Sequence, residues 1–307
     1  MVSLPAVSTT AHYRGRFAPS PTGPLHFGSL VAAVGSFLQA RAQGGEWLVR
    51  IEDIDPPREV AGASDDILRT LERLGLQWDG PIVYQSRRLD VYAEAIEQLR
   101  RAGVAYACGC TRREIADSSV HGIEGPIYPG TCRAGLKSGR SERALRVRTS
   151  GVSIAFADRW QGNIECALGD EIGDFVIRRA DGLVAYQLAV VVDDAAQGIT
   201  EVVRGADLLL STPRQVHLQQ LLGLPVPRYA HLPVATNEKN EKLSKQTGAL
   251  AVADEPALPL LRRVLSFLGQ DVPAAFDGET VASVWDFAIA HWNPERVPRV
   301  RTAPEIC

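Results

Sequence analysis

The stretch Arg16–Ser29 reads R-F-A-P-S-P-T-G-P-L-H-F-G-S and separates two segments of different character. Residues 13–18 read as a short strand. From Ser29 to about Ala42, Leu30, Val34 and Leu38 recur at helical spacing with Phe37 beside them, and Gly44-Gly45 stops the run. Glu46–Glu52 (E-W-L-V-R-I-E) reads as a second strand. Residues 63–75 read as a helix through Ile67, Leu68, Leu71 and Leu74, stopped at Gly75. Strand, glycine turn, helix, strand is the order of a parallel βαβ unit, so the spacing predicts an α/β fold with a parallel sheet.

A glycine turn between a first strand and a first helix is where open α/β folds bind phosphates, because helix N-terminal N–H groups and the helix dipole favour an anion. The turn lacks both G-x-G-x-x-G and G-x-x-x-x-G-K-[ST]. It has instead Gly23 and Gly28, which permit close backbone approach, and His26, which can donate to a phosphate oxygen. A tight turn around a packed histidine fits the same residues.

Further along, residues 106–150 are rich in Cys, Gly and Arg and read as an inserted module. Leu188–Val192 is a continuous apolar run ending in Asp193-Asp194 and reads as a strand buried on both faces. Val202-Val203 leads to Arg204-Gly205 and then to a helix through Leu218, Leu221 and Leu222. After residue 250 the pattern is helical to about residue 292.

The chain's 307 residues, 45% hydrophobic and 22% charged, suit an ordinary globular protein of one large core or two modest domains. The first dozen residues hold no Lys or Arg and no long apolar run, unlike a signal peptide. No stretch approaches the ~18 apolar residues of a membrane helix, so the expectation is a cytoplasmic protein. A net charge of −3 argues against a wholesale polyanion binder. Arg112–Arg148 nevertheless holds eight Lys/Arg against four Asp/Glu, a local basic excess or simply a solvated face. Five cysteines make a poor disulfide framework. Cys108, Cys110 and Cys132 lie within 25 residues and form a soft ligand set suited to Zn²⁺. Residue chemistry nominates His121 as the fourth ligand. Cys166 reads as a packed thiol.

A second stretch, K-L-S-K-Q at Lys242–Gln246, sets two lysines three apart on a polar loop, able to clamp a triphosphate. H-F-G-S with K-L-S-K-Q resembles the signature pair of the class I aminoacyl-tRNA synthetases. R-F-A-P-S-P-T-G, R-I-E-D-I-D-P-P-R (Arg50–Arg58), A-V-V-V-D-D (Ala189–Asp194), G-I-T-E-V-V-R-G-A-D (Gly198–Asp207) and T-P-R-Q (Thr212–Gln215) are similar to the glutamyl-tRNA synthetase branch. The resemblance spans about residues 13–250. The chain ends 61 residues after Gln246, too short for the large anticodon-binding region of a full synthetase, and Arg204 stands in R-G-A-D-L where R-G-E-D-H is usual. That combination resembles the stand-alone glutamyl-Q tRNA(Asp) synthetase family.

The resemblance implies a Rossmann-like catalytic domain over 13–105 and 185–250, an inserted zinc module contacting tRNA over 106–184, a helical C-terminal segment over 251–307, and no anticodon-binding domain. It implies ATP-dependent activation of L-glutamate, with Mg²⁺ carried by ATP, and transfer to queuosine in the anticodon of tRNA(Asp). Arg16, Phe17, Ala18, Pro19, Ser20, Glu52, Tyr186 and Arg204 would line the glutamate site, with Glu52 for the ammonium and the arginines as forked donors for carboxylates. His26, Gly28, Ser29 and Lys245 would bind ATP, and His26, Lys242 and Lys245 would serve catalysis. The resemblance makes Tyr128, in Y-P-G-T-C, the fourth zinc ligand, with His121 its rival. No coiled coil or swapped arm is evident, so a monomer is expected. Besides a generic nucleotidyltransferase of the same fold acting on a small molecule, two other readings remain open at this point. One is a truncated synthetase charging a tRNA 3′ end. The other is a catalytically silent module that binds glutamate or nucleotide.

Overall fold

The structure is a computed structural model and describes residues 12–118, 120–123, 125–237, 252, 254–273 and 280–305. Strand β1 (Arg14–Phe17), helix α1 (Phe27–Ala42) and strand β2 (Glu46–Ile51) form the expected parallel unit, with Arg14 opposite Glu46 and Phe17 opposite Val49. Gln43 caps α1 and Gly44 turns the chain at φ +61°, a conformation that favours glycine. Helices α2 (Ala63–Arg73) and α3 (Leu89–Arg101) flank β3 (Val83–Tyr84), which extends the sheet parallel to β2.

On the other side of β1 run β11 (Glu201–Gly205) and β12 (Arg228–Leu232), parallel to each other and joined by α7 (Thr212–Leu222). Thr200 donates its backbone N–H to the Arg14 carbonyl at 2.9 Å, and its hydroxyl accepts the Arg14 N–H at 2.9 Å, which ties β11 to β1. β1 thus has later strands on both sides. That reversal of strand order leaves a crevice at the carboxyl ends of the strands, the usual ligand position in open α/β sheets.

The segment from residue 105 builds a second, antiparallel sheet in the order β10 (Phe175–Arg178), β7 (Ala144–Val147), β4 (Ala105–Cys108). Short elements α4 (Arg112–Ser118), β5 (His121–Gly122) and β6 (Gly125–Pro126) lie between β4 and β7. The hairpin of β8 (Ser153–Asp158) and β9 (Gly162–Ala167) reaches back to the parallel sheet, where Asp158 pairs with Tyr229 of β12. Helix α5 (Leu168–Glu171) follows it.

The run Leu188–Val192 is not a strand. It lies in helix α6 (Tyr186–Ala196). Leu188 through Asp194 are all buried, packed between α3 and α7, so the helix has no solvent-exposed face over that length. Periodicity vanishes when a helix is covered on all sides, and a five-residue apolar run then looks like an interior strand.

Among the described residues two large apolar clusters form the core, beside a small third one of Tyr106, Cys108, Tyr128 and Cys132. One joins α1 and the parallel sheet to helices α8 (Ala257–Phe267) and α9 (Val281–Ala290). Phe27 meets Phe267 edge-on, and Trp285 donates to the Leu74 carbonyl at 2.8 Å. Gly35 allows α1 to sit close to the sheet, since a Cβ there would lie 2.5 Å from Leu232 Cδ1. The other cluster joins α3, α6 and α7 to β7 and β10. Strands β13 (Val234–Thr236) and β14 (Thr302–Pro304) close the first cluster at its edge. Among the described residues no helix is long and apolar enough to cross a membrane.

Candidate active site

A cavity of about 690 Å³ opens at the carboxyl ends of β1, β2 and β11. Arg16 and Phe17 come from the end of β1, and Ala18, Pro19 and Ser20 from the turn that follows. Glu52 stands one residue past β2, Tyr186 opens α6, and Arg204 lies on β11. His26, Gly28 and Ser29 sit at the start of α1. All of these line the one cavity. Lys242 and Lys245 lie outside the described residues.

Arg16 is buried, and its Nε and Nη2 face the two carboxylate oxygens of Asp194 at 3.2 and 3.3 Å. Arg50 is fully buried behind it. Its Nη2 lies 2.8 Å from Asp194 Oδ1 and 3.4 Å from Glu52 Oε1, and its Nη1 donates to Gln197 Oε1 at 2.6 Å. Asp193 accepts from Gln85 Nε2, Tyr92 Oη and Arg88 Nε at 2.7–2.8 Å. Buried charges persist only when paired, and each guanidinium and carboxylate of this network has an oppositely charged partner within 4 Å, while Arg50 Nε and Gln85 Oε1 make no hydrogen bond among the described residues. Burial opposes the charge on Asp194, yet Arg16 and Arg50 outweigh it and hold the carboxyl below its ordinary range. At Glu52 burial wins over Arg50 and Arg16, Asp194 adds repulsion, and the pKa rises. A cation arriving beside Glu52 would favour its ionised form.

Arg204 is held by its outer edge. Nε donates to His231 Nε2 at 3.0 Å, and Nη2 donates to Thr212 Oγ1 at 2.9 Å. Nη1 faces Tyr186 Oη at 3.5 Å. Burial keeps Tyr186 a neutral phenol. His26 is the N-cap of α1. Its Nδ1 accepts the Ser29 N–H at 3.2 Å, and its Nε2 lies 3.0 Å from Ser29 Oγ. The imidazole is thereby fixed against the first turn, at the positive end of the helix.

At the end of β4, Cys108 and, from the loops that follow, Cys110 and Cys132 place their sulfurs within 4.8 Å of one another. Cys110 Sγ is 3.6 Å from Cys132 Sγ and 3.6 Å from Tyr128 Oη, and Cys108 Sγ is 3.4 Å from the same oxygen. Sulfurs on a tetrahedral zinc stand about 3.8 Å apart, and a sulfur and an oxygen about 3.5 Å. The donor set therefore fits one small soft cation. The side chain of His121 lies outside what the structure describes. The basic excess divides: Arg133 pairs with Asp174, Arg140 with Glu114, and Arg146 donates to the Asp174 carbonyl. Arg112, Arg113, Lys137 and Arg143 stand exposed. Cys166 is buried, as a packed thiol should be.

Residues 12–257 match the family of class I tRNA synthetases (E and Q), catalytic domain. The glutamyl-Q tRNA(Asp) synthetase of Dechloromonas aromatica is 61% identical over 94% of this chain and 96% of its own length. That of Aromatoleum aromaticum is 60% identical over 94% of this chain and 91% of its own. The chain belongs to the glutamyl-Q tRNA(Asp) synthetase branch of the class I tRNA synthetases.

The fold agrees with that placement. The crystal structure of a glutamate–tRNA synthetase from Elizabethkingia anophelis superposes with a TM-score of 0.79 and 26% identity, covering 96% of this chain and 68% of that one. A class I synthetase needs a nucleotide site beside an amino-acid site, and the cavity has a helix N-terminus on one wall and buried arginines on another. Sequence reasoning assigned no role to Arg50, Asp193, Asp194, Asp158 or His231. A carboxylate pair closing an apolar run, and a histidine inside an apolar strand, were the signals available.

Proposed function

We propose that this enzyme activates L-glutamate with ATP and transfers the glutamyl group to queuosine in the anticodon of tRNA(Asp). The observation that carries the proposal is the identity of 60–61% with glutamyl-Q tRNA(Asp) synthetases over 94% of the chain. The cavity supports it: the residues expected for an amino acid with two carboxylates and one ammonium converge there. Glu52 takes the ammonium. Arg204 turns its Nη1 edge to one carboxylate, and Arg16 supplies positive potential for the other.

In the first step a carboxylate oxygen of glutamate attacks the α-phosphorus of ATP. The bond to the β-phosphate oxygen breaks and pyrophosphate leaves. The nucleophile is already an anion at neutral pH, so no general base is required, and catalysis reduces to alignment and charge stabilisation. His26, Gly28 and Ser29 hold the phosphates at the α1 N-terminus. Lys242 and Lys245 neutralise the leaving pyrophosphate, with Mg²⁺ brought by ATP. In the second step a hydroxyl of the queuosine cyclopentene attacks the mixed anhydride, loses its proton, and AMP departs.

Residues 13–105 and 185–250 carry the catalytic unit in this reading, and 106–184 the module that approaches tRNA. Cys108, Cys110, Cys132 and Tyr128 would hold one Zn²⁺, which supplies cross-linking to a module poor in apolar residues. The exposed Arg112, Arg113, Lys137 and Arg143 would face phosphates. Labelled glutamate, ATP and two tRNA pools, one with queuosine and one without, test the reading. Label confined to the queuosine pool is expected. Equal label on both pools would mean 3′-end charging and would overturn it.

A further inference from the structure

Arg204 has a partner that substrate binding does not explain. His231 is its cross-strand neighbour, since Arg204 on β11 pairs with His231 on β12. Asp158 ends β8, the strand next in order. Three adjacent strands thus set Asp158, His231 and Arg204 side by side, and each is at least 95% buried. Asp158 Oδ2 lies 2.6 Å from His231 Nδ1. Its other oxygen, Oδ1, accepts the backbone N–H groups of Trp160, Gln161 and His231 at 3.0–3.1 Å, so the carboxylate is immobile. A carboxylate only accepts, so the proton sits on Nδ1. The Nε2 lone pair therefore faces the Arg204 Nε–H at 3.0 Å. Burial pushes the imidazole pKa down to about 4, consistent with a neutral ring.

We propose that His231 and Asp158 are positioning residues for Arg204, fixing its guanidinium plane so that the Nη1 edge meets a substrate carboxylate. Asp158 sets the tautomer, the tautomer makes Nε2 an acceptor, and the acceptor fixes Nε. Thr212 Oγ1 and the Leu208 carbonyl occupy Nη2, at 2.9 and 3.4 Å. Among the described residues Nη1 has only the 3.5 Å approach of Tyr186 and is the edge left for a ligand. The inference rests on the glutamate-activation reading above.

The test uses the full chain and glutamate-dependent ATP–pyrophosphate exchange. Absence of exchange in the wild type would remove the activation reading and this inference with it. With exchange present, two variants isolate the positioning role. In His231→Gln the amide oxygen replaces Nε2 and keeps an acceptor for Arg204. In His231→Asn the amide nitrogen replaces Nδ1 and keeps a donor for Asp158, but no acceptor from that side chain reaches Arg204 Nε. A merely structural histidine predicts similar kinetics for both. Positioning predicts a KM for glutamate raised about tenfold or more in His231→Asn, an ATP KM changed by less than about twofold, and recovery of most of the loss in His231→Gln. Equal KM in the two variants overturns the proposal. The ring ¹⁵N spectrum of the wild type is an independent check that needs no variant to fold. It should show the Nδ1–H tautomer of His231 from about pH 6 to 8. An Nε2–H tautomer or an imidazolium would also overturn it.

Discussion

Arg16, which lines the cavity, and Asp194 form a two-pronged pair at 3.2 and 3.3 Å between β1 and α6. The same carboxylate holds Arg50, so one aspartate fixes two guanidinium groups. Removing its charge leaves both without their main counter-ion. Asp194→Asn should therefore destabilise the protein by about 3–5 kcal/mol. Chemical denaturation of the variant beside the wild type checks this; a loss below about 1 kcal/mol would mean that Glu52 and Asp193 suffice.

Acid should destabilise the protein before the depressed Asp158 and Asp194 titrate. Burial lowers the folded pKa of His231 to about 4, and burial lowers that of His217 as well. A histidine with a depressed folded pKa favours the unfolded chain once that chain takes up protons near pH 6.5. Stability should therefore fall as pH drops from about 6.5 to about 4, with His231 contributing on the order of 3 kcal/mol. Below about 4 the depressed Asp194 and Asp158 add a second loss, because their stabilisation needs the ionised form. Urea midpoints across pH 7.5 to 4.5 should show the slope, and His231→Gln should flatten its upper part. An identical slope in that variant would exclude His231 as the source.

The proposed zinc site at the three cysteines has two candidate fourth ligands, which metal retention separates. Cys110→Ser should lower both zinc content and melting temperature. Tyr128→Phe should weaken zinc retention against a chelator, because its oxygen stands 3.4–3.6 Å from two of the sulfurs. His121→Ala should leave retention unchanged. Elemental analysis after dialysis reads all three, and the reverse order of Tyr128→Phe and His121→Ala would transfer the role to the histidine.

Lys245→Ala should slow pyrophosphate exchange by about a hundredfold or more while the melting temperature stays within about 1 °C of wild type. In the proposed mechanism the lysine stabilises charge that develops only as pyrophosphate leaves. Wild-type rates in the variant would remove it from the mechanism.

The sequence by itself determined the first βαβ unit, because the glycine turn, the amphipathic spacing of α1 and the apolar β2 all act within forty residues. It also marked Arg16, Glu52 and Arg204, whose residue types suit the chemistry of a charged amino acid, and the three cysteines, and its family resemblance added Tyr186. Tertiary structure decided the rest. Leu188–Val192 became a helix because neighbours cover it on every side, which erases the period that would have announced it. Asp194 meets Arg16 across 178 residues, and His231 meets Asp158 across 73. Those partnerships depend on strand order and register, which bring distant side chains to neighbouring positions only once the sheet has formed. Local sequence carries no trace of that distance. A buried charge must find a counter-charge wherever the fold places one, and here the fold placed it one strand or one helix away.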